Sequence, residues 1–252
     1  MINKFNLSYQ AAELRKQFGE DDCSYIDVFN IVENDETITL FYYPMNSVSG
    51  MCLLDGKNKI IAINSLSSKG RQRYTLAHEL YHLYYHKNNA CFICSKNDLN
   101  SKKEQEKEAD IFASYFLAPF NAFKKFADDL KIIKGYFDIN DVIKCEQYFG
   151  LSHIATLVRL KEENYITEEF FEECKILKPA PLAKKLGFTT DLYVPNNEAT
   201  QKYTTGRYIN LANKLKENDL VSNAKYEQFL LECFRKDLVY GDGGDGGDGE
   251  ID

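Results

Sequence analysis

The chain of 252 residues carries 31 Lys and Arg against 38 Asp and Glu, a formal net charge of −7, with 44% hydrophobic and 27% charged residues. This is the composition of an ordinary globular protein with enough length for a sizeable core, and no apolar run reaches the length of a bilayer span; disulfide miniproteins and membrane proteins are the classes it argues against. Five of the negative charges sit in the terminal GDGGDGGDGEID, which leaves the body at only about −2, too slight an imbalance for an electrostatic pull toward or away from nucleic acid. Seven scattered cysteines and an opening stretch without an apolar leader are what a reducing, cytoplasmic setting predicts.

In chain order, residues 9–19 have helical spacing that ends at Gly19, and 27–32 form a second short helix. The period then changes. Runs at 38–43, 51–54 and 59–64 are β-rich, the last two separated by the turn signal Asp55-Gly56, and together they predict a small antiparallel sheet. Residues 71–87 and 100–117 return to helical spacing, the second opened by a capping box of Ser101 and Glu104 and followed by Pro119. The polar stretch between these helices holds the only Cys-x-x-Cys, Cys91 and Cys94, expected to be reduced loop cysteines since no second pair of metal-binding spacing accompanies them.

Residues 139–165 spell two short helices joined at Gly150-Leu151-Ser152, a helix-turn-helix-like unit, and Lys178-Pro179-Ala180-Pro181 has linker composition. Helical segments at 203–217 and 223–237 follow, and the Gly/Asp tail cannot bury apolar surface. The organisation expected is a core at 1–130, a helix-turn-helix-like module at 131–178, a helical region at 179–240 and a disordered tail at 241–252. The fold class is α+β, a small sheet beside two helices and then an all-helical C-terminal part.

Chemistry concentrates in one place. Of four histidines, His78, His82 and His86 fall within nine residues, and His78-Glu79-Leu80-Tyr81-His82 has the His-Glu-x-x-His spacing. On a helix the two histidines stand about 6 Å apart in rise and about 40° in azimuth, so both imidazoles can reach one ion. Glu79 falls to the side, placed to take a proton from water at that ion. Leu76, Leu80, Leu83 and Tyr84 occupy the other face, which wedges the helix between a core and a polar site. His86 lies about 12 Å along the axis from His78, too far to share the ion, and is assigned a supporting or packing role.

A catalytic zinc needs a third ligand. In the next helix Ala109, Phe112, Ala113, Phe116, Leu117 and Phe120 make an apolar stripe, and Glu106 and Asp110 extend it toward the helix start. Acids on a stripe that seeks burial require a partner, and a cation carrying histidine ligands supplies one. Glu106 is therefore expected to be the third ligand, and Asp110 the acceptor that orients a ligating imidazole.

Arg73 to His82, the segment 106–113 beginning Glu-Lys-Glu-Ala-Asp, and Phe116-Leu117-Ala118-Pro119 together resemble the ImmA/IrrE family of bacterial zinc metallopeptidases over about residues 20–170. The resemblance implies a minimal zincin-like core with one Zn2+ per chain held by His78, His82 and Glu106, Glu79 as general base, and cleavage of a helix-turn-helix repressor as the biological act. Two positions depart from the family pattern: Tyr81 stands where many members have glycine, with a narrower cleft as the expected result, and Phe-Leu-Ala-Pro replaces Leu-Leu-Met-Pro.

A tetrahedral oxyanion also needs a donor, for which Tyr81, Tyr85, Tyr115, His153 and Arg159 are candidates, and strand 59–64 reads equally as an edge for an extended substrate or as an ordinary internal strand. Direct DNA binding by the 139–165 unit is disfavoured because Lys144, Arg159 and Lys161 are outnumbered by Asp141, Glu146, Glu162 and Glu163. The rival from another class is a regulatory protein that keeps the metal-stabilised fold and sequesters its partner without cutting it.

Overall fold

The computed structural model describes residues 2–85, 91–95, 103–130 and 137–241. The elements in order are α1 (Lys4–Gln17), α2 (Val28–Asn34), β1 (Ile38–Tyr43), β2 (Val48–Asp55), β3 (Asn58–Asn64), α3 (Lys69–Tyr85), β4 (Cys91–Ser95), α4 (Lys103–Leu117), α5 (Phe120–Asp129), α6 (Ile139–Phe149), α7 (His153–Glu162), α8 (Glu168–Cys174), α9 (Pro179–Lys185), β5 (Tyr203–Gly206), α10 (Arg207–Glu217), α11 (Asn223–Glu232) and α12 (Lys236–Tyr240). The α+β class expected from the sequence is the class observed. No helix among the described residues is long and apolar enough to cross a membrane.

The sheet has the order β4-β2-β3-β1-β5. It is mixed, not wholly antiparallel: β2 pairs antiparallel with β3 and β4, and β5 antiparallel with β1, but β1 runs parallel to β3. The cause is local. After Tyr43 the chain crosses the end of β3 before entering β2, and Asn64 holds that crossing, its side-chain amide donating to the carbonyls of Met45 (2.6 Å) and Val48 (2.9 Å) while its oxygen accepts from the Met45 N–H (3.1 Å). The tight turn at Asp55-Gly56, with Gly56 at φ 58°, then returns β3 between its neighbours. Strand 59–64 is consequently central and offers no free edge, a correction to its suggested role as a substrate edge.

Other boundaries differ for identifiable reasons. The segment read as helix from 203 begins as strand β5, since Tyr203-Thr204-Thr205 is an aromatic and β-branched run that pairs with β1. Lys178-Pro179-Ala180-Pro181 opens α9 and is not a linker, because Pro at the first helical position forfeits only an N–H that has no intrahelical partner. Cys91 and Cys94 belong to strand β4 and not to a loop; their side chains lie outside the described residues, as do the capping residue Ser101, His86 and the tail from 242.

One core runs from Leu7 to Cys174 and includes Val142, Cys145, Phe149, Leu151, Leu157 and Leu160, so the 139–165 pair shares the interior of the sheet and metal helices. A smaller cluster of Ile209, Leu230 and Cys233 binds α10 to α11. Two buried arginines tie the layers together. Arg15 donates to the carbonyls of Phe116 (2.7 Å), Ser24 (2.9 Å) and Asp21. Arg73 on α3 donates to the carbonyls of Gly150 (3.1 Å) and Ile26 (2.5 Å). Gly150 ends α6 at φ 65°, and a Cβ there would lie 2.5 Å from the Arg73 Nε; the turn between α6 and α7 is thus specified twice, by backbone conformation and by the arginine.

Candidate metal centre

Helix α3 is buried along most of its length, with Leu76, Leu80 and Leu83 in the core and His78 (7% exposed), Glu79 (0%) and His82 (1%) on the side turned to α4 and β2. The Nε2 atoms of His78 and His82 are 3.1 Å apart. Glu106, on α4, brings Oε2 to 3.3 Å from the His78 Nε2 and Oε1 to 3.6 Å from the His82 Nε2, and one donor atom from each of the three residues lies within 4.8 Å of the others. Zinc holds nitrogen and oxygen ligands at about 2.0–2.2 Å in a tetrahedron, which sets neighbouring donors about 3.3–3.6 Å apart. The two imidazole nitrogens are close to that spacing, and the Glu106 carboxylate approaches one with each of its oxygens, so the two histidines and the glutamate converge as donors for a single ion.

The surroundings agree with that fit. Asp110 Oδ1 is 3.0 Å from the His78 Nδ1, the contact that orients the ring with Nε2 toward Glu106 and His82, and the Tyr74 hydroxyl donates to the Asp110 backbone carbonyl (2.7 Å). Burial opposes a charge on His78, but its hydrogen bonds to Asp110 and Glu106 and the charge of Glu79 outweigh burial and push its pKa up to about 10.

Glu79 faces the same cleft, and strand β2 approaches it closely. A Cβ on Gly50 would come within 2.8 Å of the Glu79 Oε1 and 2.5 Å of the Thr75 Cγ2. The neighbouring Ser49 sits at a register break, since β2 pairs Val48 with Ser95 and Gly50 with Cys94 of β4. This bulge turns Ser49 into the cleft. A glycine within a β pattern was the sequence signal for both features.

The cleft, about 910 Å³, includes His78, Glu79, Glu106 and Asp110 in its lining. None of the five candidate oxyanion donors does. Tyr81, 5% exposed, donates to Glu108 Oε2 (3.0 Å) and packs on Phe112, so it does not narrow the cleft as its replacement of glycine suggested. Tyr85 donates to the Gln10 carbonyl (2.8 Å), and the Tyr115 ring lies 3.9 Å from the Arg159 guanidinium. Arg159 is buried against Ser114 and Glu163, and His153 is held between Glu146 and the Cys174 carbonyl. The polar side chains that do line the cleft include Ser49, Arg71, Thr75, Lys107, Ser114 and Ser152. Arg71 stands two turns before His78 and Glu79 on α3, a spacing that could have nominated it.

A His-Glu-x-x-His helix facing a glutamate-bearing helix beside a mixed sheet is the layout of a metallopeptidase core. Residues 27–161 match the Peptidase_M78 family model, described as the IrrE N-terminal-like domain. The match takes in more than half of the 252 residues, and the chain belongs to this family. No curated protein matches the chain.

Proposed function

We propose that the protein is a zinc endopeptidase that cuts a specific cytoplasmic protein, a helix-turn-helix repressor-type partner, with Glu79 as the proton-transfer group. The observation that carries this reading is the convergence of one donor atom each from His78, His82 and Glu106 within 4.8 Å of one another, beside a cleft that Glu79 also lines. Bound there, zinc supplies Lewis acidity toward a peptide carbonyl and makes water acidic enough to react near neutral pH.

The chain's own residues perform the remaining tasks. His78 and His82 present Nε2, with His78 oriented by Asp110, and Glu106 balances charge from the facing helix. Glu79 accepts the proton of the attacking water and returns it to the departing amine; its burial strengthens that exchange by keeping competing solvent away. The choice of a repressor as substrate follows from the family resemblance.

Co-expression with a candidate helix-turn-helix repressor-type protein tests the proposal. Wild type generates fragments of that protein. Glu79→Gln keeps zinc and loses cleavage by at least about 10²-fold, the usual contribution of a positioned acid–base group. Intact partner alongside wild type, with the biological effect preserved in the Glu79→Gln variant, would make the protein a sequestering factor instead.

A further inference from the structure

Helix α7 is apolar on two faces. Leu157 and Leu160 enter the core, while Ile154 (49% exposed) and Val158 (38% exposed), one turn apart, line the cleft with Ala155 between them. Opposite them, Ile111 of α4 lines the same cleft one residue beyond Asp110. A helix face that only met solvent would gain nothing from isoleucine and valine at these positions, whereas concave apolar walls with a few polar groups at one place are the makeup of a ligand site.

We infer that Ile111, Ile154 and Val158 form a side-chain subsite that selects a large aliphatic or aromatic residue in the peptide held at the metal centre. This rests on the peptidase reading above. The argument for the occupant is continuity: the apolar wall and the His78, Glu79 and Glu106 groups line a single cavity, so a peptide whose carbonyl reaches the centre must lay a neighbouring side chain against α7 or α4. The α7 wall from Ser152 to Glu162 is about 15 Å long, enough for about four residues of extended chain. Glu162, at its far end, is already engaged by Lys4 (3.2 Å), which leaves the aliphatic groups as the feature that discriminates among uncharged side chains.

The test uses the full-length, zinc-loaded protein and peptide hydroxamates that differ at one side chain, Gly, Leu, Phe or Lys, with binding measured by calorimetry. Burying a side chain of Leu or Phe size predicts binding about 10- to 100-fold tighter than for Gly or Lys. In Val158→Glu, and separately in Ile154→Gln, that preference, read as the ratio of Leu or Phe to Gly affinity in each variant, shrinks to less than about threefold at equal zinc content. Equal binding of all four probes, or a preference that survives both substitutions, overturns the subsite but leaves the metal centre standing. Failure of even the Gly probe to bind zinc-loaded protein overturns the metal-centre reading, and the subsite with it.

Discussion

Gly50→Ala is the sharpest perturbation of the site because it adds one carbon atom and touches no proposed ligand. Its Cβ would stand 2.5 Å from the Thr75 Cγ2, 2.8 Å from the Glu79 Oε1 and 3.3 Å from the Ala62 carbonyl oxygen. Carbon contacts settle at about 3.5–4.0 Å, so Thr75 must give way by about 1 Å and Glu79 by somewhat less. Neither side has slack: β2 is paired on both edges, and α3 is buried around Thr75. Overpacking of this kind costs about 1–3 kcal/mol, which for a chain of this size lowers the melting temperature by about 2–12 °C.

The same shift acts on function, since a displacement near 1 Å at a catalytic group can cost about 10²-fold in rate. Thr75→Ser removes the Cγ2 responsible for the closest contact and should restore part of the stability. Melting curves of wild type, Gly50→Ala, Thr75→Ser and the double variant make a cycle with an expected coupling of at least about 0.5 kcal/mol, at constant zinc stoichiometry. If Gly50→Ala melts like wild type, or costs as much in the Thr75→Ser background as with Thr75 in place, the contact does not constrain the site and the reasoning fails.

Asp110→Ala removes the acceptor for the His78 Nδ1 and should weaken zinc binding about 10- to 100-fold in a chelator competition. Glu146 accepts from His153 (2.5 Å) and from Tyr193 (2.8 Å) in the core, and His153→Ala, which strands that buried carboxylate, should cost about 3–5 kcal/mol in urea unfolding. Burial disfavours charge on His153, yet the hydrogen bond and charge of Glu146 and the Cys174 carbonyl raise its pKa above the usual imidazole value. A raised folded-state pKa gives a stabilisation that is complete below about pH 6.5 and fades as pH climbs through the folded value; His153→Gln should flatten that decline.

The parts of this protein that were legible in its sequence are those with a local cause. His78, Glu79 and His82 share one helix, and the stripe through Ala109, Phe112 and Phe116 fixes the direction in which Glu106 points. What escaped depends on contacts distant in sequence. Strand β5 is a strand because residue pairs such as Thr39 with Gly206 meet across most of the chain, and β1 runs parallel to β3 because Asn64 captures the crossing at Met45. The places of Tyr81, Tyr85, Tyr115, His153 and Arg159, none of which lines the cleft, likewise depend on partners that no spacing reveals, such as the Gln10 carbonyl for Tyr85 and Ser114 for Arg159.

Helix-turn-helix spacing at 139–165 illustrates how one local pattern serves a different end. The turn glycine that would suit a DNA-reading pair is here fitted against Arg73, the arginine of the metal helix. The second helix spends its arginine internally, with Arg159 1% exposed beneath Tyr115, and pairs Lys161 with Glu168 at 3.2 Å. The face that remains exposed carries Ile154 and Val158 and turns toward the cleft. The pair shares its core with the metal helices and lines their cleft, and the family match runs on through α6 and nearly to the end of α7.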